Sequence, residues 1–131
     1  IADEISPAVE ALVQVAPMPD NRGLAGASLG GLMSFYGVWT RNDAFRLVGA
    51  QSASLFWNDG DMIDRVELGP MIPARVYLDS GSPGDNWDFG RLMADALRSR
   101  GYEYQHLVEE GGQHEWPFWA GRFDELLDFL F

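Results

Sequence analysis

The sequence contains no cysteine, few basic residues and only two histidines. Without cysteine, the chain forms no disulfides and offers no thiolate ligands to a metal. Nine basic residues stand against 20 acidic ones, for a formal net charge of −11. No basic cluster would neutralise a row of phosphates, so nucleic acid is not an expected partner. No stretch approaches the roughly 20 apolar residues that cross a bilayer, and a membrane partner is not expected either.

What the sequence does contain is enough apolar surface for one folded core. Apolar residues make up 47% and aromatic residues 13% of the 131 residues. Such a chain is long enough to bury a single modest core, and its apolar content excludes a disordered chain. We therefore predict one domain spanning residues 1–131.

Apolar spacing along the chain alternates between helical and strand patterns. Helices are predicted over residues 5–15, ending near Pro17, and around residues 32–39, 61–68, 89–97 and 117–130. Strands are predicted over residues 22–27, 45–53, 74–78 and 104–108. Strands separated by helices pair in parallel through right-handed crossovers. The order predicts an α/β three-layer sandwich, with a short, mostly parallel sheet of about four strands flanked by helices.

The segment Gly26-Ala27-Ser28-Leu29-Gly30 is a G-x-S-x-G pentapeptide between a predicted strand and a predicted helix. This turn holds a serine hydroxyl exposed on strained backbone, which suits a nucleophile. The backbone N–H of Leu29, at the start of the helix, is a candidate oxyanion donor. We expect both glycines to be required sterically, because Cβ atoms there would collide as strand and helix fold back.

A nucleophilic serine needs a base, and the two histidines differ in their setting. His106 lies inside a predicted strand and is expected to be packed or solvated there. His114 lies in a glycine-flanked loop after the last strand, where a base would reach the serine. The spacing of the two histidines does not fit a zinc site, and we predict neither a metal nor a cofactor.

A carboxylate should orient the histidine, and in this fold it comes between the serine and the histidine along the chain. Asp79, Asp85 and Asp88 surround the loop after the third strand. Asp79 is expected to end the strand and cap the turn, and Asp88 to lie in the first turn of the next helix. Asp85, within the loop, is the preferred candidate.

Aromatic residues near the predicted site are mostly expected in the core. Trp57 follows the end of a predicted strand and is a candidate for lining an acyl or aromatic pocket. Its alternative role is simple core packing.

Three segments together resemble one family: residues 22–31, 77–81 and 111–116 match the elbow, the acid-loop strand and the histidine turn of the esterase family of α/β-hydrolases. That family includes enterochelin esterase, esterase D and feruloyl esterase domains. The resemblance implies Ser28 as nucleophile, His114 as general base and Asp85 as the acid, with Asp88 as the alternative acid. It implies a small-molecule ester as substrate and a serine esterase mechanism.

The resemblance covers only the C-terminal half of the family's fold, because the strands that precede the elbow strand in the family are missing. The second oxyanion donor of the family comes from that half. The elbow strand should therefore be a sheet edge, which we expect the same edge of a second copy, or an element swapped from it, to cover in a homodimer. The alternative is that the chain is a fragment whose other half is a separate chain. Alternative functions are acyl transfer to another alcohol, a non-catalytic binding or assembly half-domain, and a flavodoxin-like ligand binder.

Overall fold

The computed structural model describes residues 1–16 and 18–131, which form a four-stranded sheet flanked by helices. The strands are β1 (Gly23–Ala27), β2 (Leu47–Gln51), β3 (Arg75–Ser82) and β4 (Glu103–Glu110). The helices are α1 (Ile5–Glu10), α2 (Leu29–Thr40), α3 (Asp61–Leu68), α4 (Trp87–Arg100), α5 (Trp116–Gly121) and α6 (Phe123–Leu130). Short 3₁₀ turns cover Pro19–Asn21 and Trp57–Gly60.

All neighbouring strands of the sheet pair in parallel, in the order β1-β2-β3-β4. Val48 at the centre of the sheet pairs with Leu24 on one side and Val76 on the other. Because the strands are parallel, their carboxyl ends meet at one edge, and the loops that leave them can share a site. The predicted α/β fold with about four parallel strands is confirmed.

Helices cover both faces of the sheet, so the fold has three layers. On one face, α2, α3 and α4 bury the main core with the strand residues Val48, Ala50, Val76 and Leu78. On the other face, α6 buries a smaller cluster made of Leu47, Tyr77, Leu126 and Leu130. Alternate residues of a strand point to opposite faces, which explains how Val76 and Tyr77 serve different clusters.

β1 is an edge strand, as the sequence predicts for the elbow strand. The Ser28 N–H donates to Gln51 O on one side, and Arg22 O accepts from Leu47 N–H on the same side. Backbone groups alternate in direction along a strand, so the N–H of Ala25 points away from β2. Ala25 is also exposed, and the free edge of β1 therefore presents open backbone groups.

Several element boundaries differ from the prediction. α1 ends at Glu10, and none of its residues is buried, because its apolar side lacks a packed partner in the described part of the chain. The predicted end near Pro17 lies outside the described residues. The last predicted helix is two helices, α5 and α6, which meet at Arg122 with a non-helical φ of −105° and ψ of 4°. No helix among the described residues is long and apolar enough to span a membrane.

Candidate active site

Ser28 sits between β1 and α2 in a backbone conformation that L-residues rarely adopt, with φ 59° and ψ −122°. Three backbone hydrogen bonds hold it there. Its N–H donates to Gln51 O at 2.9 Å, and its carbonyl accepts from Leu32 N–H at 3.2 Å and Ser54 N–H at 3.0 Å. Such strain costs about 1–3 kcal/mol and persists where surrounding structure fixes it, often at functional sites.

The glycines of the elbow are not equivalent. A Cβ at Gly26 would lie 2.7 Å from the carbonyl carbon of Gly30, so this position admits no side chain. A Cβ at Gly30 would meet no atom within 4 Å, and the expectation that Gly30 is sterically required is wrong. The second tight position is Gly31, whose Cβ would lie 2.9 Å from the Ala53 Cβ. Close packing of α2 on the sheet therefore depends on Gly26 and Gly31.

The Ser28 hydroxyl is half-buried and hydrogen-bonds to the Ser54 hydroxyl at 3.3 Å. No hydrogen bond joins Ser28 to His114 within residues 1–16 and 18–131. The candidate nucleophile and the candidate base are therefore not hydrogen-bonded to each other, a looseness common before a substrate binds.

His114 and Asp85 are in direct contact. Asp85 Oδ1 lies 2.6 Å from His114 Nδ1, and the Trp119 ring packs edge-on against the imidazole at 4.9 Å between centroids. A carboxylate oxygen at Nδ1 favours the tautomer with its proton on Nδ1, which leaves Nε2 free to accept a proton. Asp88, the alternative acid, lies in the first turn of α4, as predicted.

The Asp85 carboxylate is 2% exposed, and donors surround it. Its Oδ2 accepts from the Ser52 hydroxyl at 2.6 Å and from the Gly81 N–H at 2.7 Å. Charge-assisted bonds of this kind are about twice as strong as neutral ones. The carboxylate is therefore fixed from the side opposite the histidine.

The loops carrying the acid and the histidine are joined through glycines. A Cβ at Gly81 would lie 2.1 Å from the Gly112 carbonyl oxygen, so the two backbones touch. The Gly111 N–H also donates to Ser82 O at 2.7 Å. Only glycine at position 81 lets the histidine loop approach the acid loop this closely.

Asp79 does not end β3, as the sequence analysis expects, but lies inside it, because β3 and β4 stay paired through Ser82 and Glu110. Asp79 is 2% exposed, and its Oδ1 lies 3.1 Å from Arg122 Nη2. Burial raises the pKa of the Asp79 carboxyl, against the opposing effect of the Arg122 guanidinium. Gln51 Nε2 donates to its other oxygen at 3.0 Å.

Arg122 joins three carboxylates beneath the site, although sequence reasoning gave it no role. Its guanidinium is 5% exposed and lies 2.7 Å from Glu109, 3.1 Å from Asp79 and 3.9 Å from Asp85. Ser52 is a second residue that the sequence did not reveal. The one available signal was position, since Ser52 directly follows β2 at the carboxyl edge of the sheet.

Leu29 and Trp57 line one cleft of about 520 Å³. Leu29 is the first residue of α2, so its N–H has no intrahelical acceptor and can bind an anion. Trp57 is half exposed and starts the 3₁₀ turn that closes the cleft. Apolar and aromatic side chains dominate the walls, with Leu32, Met33, Tyr36 and Met62 among them.

His106 lies apart from these residues, within β4. Burial lowers the pKa of its imidazole, an effect that Asp95 partly opposes. Its Nε2 is buried and has no hydrogen-bond partner among the described residues. His106 faces the inner side of α4, where a Cβ at Gly90 would lie 3.7 Å from that nitrogen.

The parallel sheet, the strained serine elbow and the loops after β3 and β4 define an α/β fold of the α/β-hydrolase type. Residues 1–130 match the family described as Putative esterase, and the chain belongs to that family. It is similar to the uncharacterized protein YbbA of Bacillus subtilis (strain 168), with 25% identity over 145 aligned residues. The resemblance predicted from the three motifs is confirmed.

Solved structures share the fold at lower identity. The enterobactin esterase FES from Shigella flexneri, in the presence of enterobactin, superposes with a TM-score of 0.89 and 21% identity over 98% of this chain and 34% of its own. A ferulic acid esterase superposes with a TM-score of 0.85 and 21% identity over 98% of this chain and 58% of its own. The alignment with YbbA covers the whole of this chain but only 57% of the length of YbbA.

Proposed function

We propose that this chain is a serine carboxylic ester hydrolase that works through Ser28, His114 and Asp85. The observation that carries the proposal is the 2.6 Å contact of Asp85 with His114 Nδ1, together with the strained elbow that holds Ser28. A carboxylate, an imidazole and an exposed hydroxyl in this chain order are the parts that acyl transfer needs. Membership of the esterase family supports the same reaction.

In the proposed reaction, His114 Nε2 accepts the Ser28 proton as the serine oxygen attacks the ester carbonyl. The tetrahedral intermediate collapses to an acyl-serine, and the alcohol leaves with the proton from His114. A water molecule, deprotonated by the same nitrogen, then releases the acid. Before attack, the Ser28 hydroxyl has to exchange its hydrogen bond with Ser54 for one with His114.

The cleft beside Leu29 is the proposed binding site for the substrate. The Leu29 N–H is the proposed donor to the developing oxyanion, and Trp57 is the proposed wall for an acyl or aromatic group. Apolar walls next to an anion-binding N–H suit an ester with an apolar or aromatic part. One donor alone leaves the oxyanion partly stabilised, and a missing donor costs about 100- to 1000-fold in rate.

We further propose that two copies pair through the free edge of β1. Open backbone groups on an edge strand invite a partner strand, and a two-fold axis makes the same edge serve both copies. The second copy would cover the nucleophile side of the site. The small-molecule ester and this second copy are the partners proposed here.

The deciding experiment is hydrolysis of p-nitrophenyl acetate and p-nitrophenyl butyrate by the purified chain, alongside Ser28→Ala. The expected result is turnover that disappears in the variant, because the nucleophile is gone. Loss of a triad serine typically lowers kcat by about a millionfold. A rate that rises faster than linearly with protein concentration would support completion by a second copy.

A fluorophosphonate probe separates slow catalysis from none. Covalent labelling of the wild-type chain at Ser28, absent in Ser28→Ala, is expected even where turnover is slow. Equal background rates and no labelling in both proteins would overturn the hydrolase proposal in favour of a non-catalytic binding or assembly domain. Ester formation in the presence of a second alcohol would identify an acyltransferase.

A further inference from the structure

Ser52 has the hydrogen bonds of a residue built to hold one orientation. Its hydroxyl lies 3.0 Å from Trp119 Nε1, 3.3 Å from Arg122 Nη2 and 2.6 Å from Asp85 Oδ2. The indole and the guanidinium are donors only, so the hydroxyl accepts from both. Its single hydrogen then has one remaining acceptor, which is Asp85.

The backbone of Ser52 is held as tightly as its side chain. Its φ is 44°, in the left-handed region, and the residue is fully buried. Its N–H donates to Asp79 O at 2.9 Å, and its carbonyl accepts from Asn86 Nδ2 at 2.7 Å. Strained backbone at a buried position persists only where the surroundings impose it, and it points to a functional constraint.

This arrangement determines how Asp85 can turn. Ser52 and the Gly81 N–H occupy Oδ2, which leaves Oδ1 as the oxygen that meets His114. If the Ser52 hydrogen were lost, the carboxylate would keep one fixed bond in place of two on that side. Its plane would then rotate more freely, and the imidazole would lose its fixed partner.

We infer that Ser52 is a positioning residue for the proposed hydrolase: oriented by Trp119 and Arg122, its hydroxyl locks Asp85 and through it the proton-bearing nitrogen of His114. The inference rests on the proposed function and adds a residue outside the triad to it. Ser52 is fully buried, so its proposed role is to act through Asp85 and not to touch a substrate.

The test replaces Ser52 with Ala and, separately, with Gly. Gly relieves the backbone strain at φ 44°, so a loss shared by both variants is due to the hydroxyl. For p-nitrophenyl butyrate, kcat should fall about 10- to 100-fold, the effect of one charge-assisted hydrogen bond, while KM stays within about twofold. Ser80→Ala is the matched control, because Ser80 is also fully buried and its hydroxyl lacks a partner among the described residues.

The second readout does not depend on activity. Long-range ¹H–¹⁵N spectra report which ring nitrogen of a neutral histidine bears the proton, and the chain has only two histidines to assign. The wild-type chain and Ser80→Ala should hold His114 as the Nδ1–H tautomer. Both Ser52 variants should shift His114 toward Nε2–H, and His106 should not change.

The outcomes separate this inference from the proposed function. If the wild-type chain hydrolyses no ester but the Ser52 variants shift the His114 tautomer, the hydrolase proposal fails and the positioning role stands. If both variants keep the tautomer and the wild-type kcat, the inference is overturned. It is also overturned if Ser80→Ala lowers kcat as much as the Ser52 variants, because the effect would then be general loss of packing.

Discussion

The two ends of the candidate site differ in how much of their support comes from this chain. Asp85 and His114 lie after strands that pair along eight residues, over a buried arginine that meets three carboxylates. Ser28 follows β1, a five-residue edge strand, and its hydroxyl bonds to one neighbouring hydroxyl. Asp85 is built into the interior and fixes His114, whose side chain is 40% exposed, whereas the nucleophile follows the open edge strand of the sheet.

If two copies pair as proposed, this difference separates the part of the site that one copy completes from the part that needs the second copy. The acid–histidine end has its donors, its charges and its packing within the described residues. The nucleophile end has one proposed oxyanion donor and a strand that no element among residues 1–16 and 18–131 covers. Changes at the first end should therefore act within a single copy, while changes at the second should act through association.

At the acid–histidine end, the largest expected effect comes from Asp85. Asp85→Asn should lower kcat/KM for p-nitrophenyl butyrate by about 10,000-fold, because an amide favours the wrong tautomer of the histidine. Asp88→Asn is the matched control and should stay within about twofold of wild type, since Asp88 lies in the first turn of α4. Equal losses in the two variants, measured by initial rates, would leave no special role for Asp85.

The next effect concerns stability, at Arg122. Arg122→Gln should lower the free energy of unfolding by about 3–5 kcal/mol, because it leaves buried Asp79 without its counter-charge. Arg98→Gln, which breaks an exposed pair with Asp95, should cost at most about 1 kcal/mol. Urea unfolding followed by circular dichroism measures both.

The stability loss of Arg122→Gln should also depend on pH, in a direction that follows from Asp79. Burial raises the pKa of Asp79, so the folded state holds this proton more tightly than the unfolded state does. Such a carboxyl destabilises the folded state when it is ionised. This destabilisation disappears as the pH falls and the carboxyl becomes protonated. Without Arg122 that pKa rises further, so the destabilisation should be larger at pH 7 than at pH 5. A loss independent of pH would contradict the buried ion pair as its cause.

At the nucleophile end, the expected change is in association. Ala25→Pro removes an N–H that points away from β2, so it should spare the sheet and block pairing at the free edge. Two such bonds of about 1 kcal/mol each would be lost per dimer, which weakens dimerisation by about 30-fold. Ala25→Ser keeps the N–H and is the control in sedimentation equilibrium. A wild-type chain that stays monomeric at high concentration would rule out this interface.

The smallest expected effect is at His106. Burial lowers the pKa of its imidazole, so the unfolded state takes up the proton first and stability falls as the pH drops below about 6.5. His106→Gln should remove up to about 1 kcal/mol of the loss measured between pH 7.5 and 5.5. Urea unfolding at the two pH values tests this, and an unchanged acid sensitivity would exclude His106 as a contributor.

The sequence predicted those parts of the molecule that local patterns specify. Alternating strand and helix periods predicted the parallel sheet, and a glycine-flanked serine and histidine predicted the loops that hold Ser28 and His114. Asp85 could be favoured over its neighbours because a loop residue can reach the next loop. These inferences needed only the chain order and the rule that parallel strands end at one edge.

The parts that the sequence did not predict depend on residues distant along the chain. In the sequence, Arg122 is one polar position in a predicted amphipathic helix. Its ion pairs form only because the folded strands β3 and β4 place Asp79 and Glu109 next to it. Ser52 acquires its role from an indole and a guanidinium about 70 positions away. For α1 the local pattern predicts more than the structure has. The helical spacing does form a helix, but it ends at Glu10, and nothing among the described residues buries its apolar side.

The empty space around Gly30 gives the elbow a position at which variation is tolerated. A methyl group there meets nothing, and alanine favours a helix over glycine by about 1 kcal/mol. Gly26, four residues earlier, accepts no such change. Random mutagenesis of this pentapeptide should therefore yield folded variants at position 30 and very few at position 26.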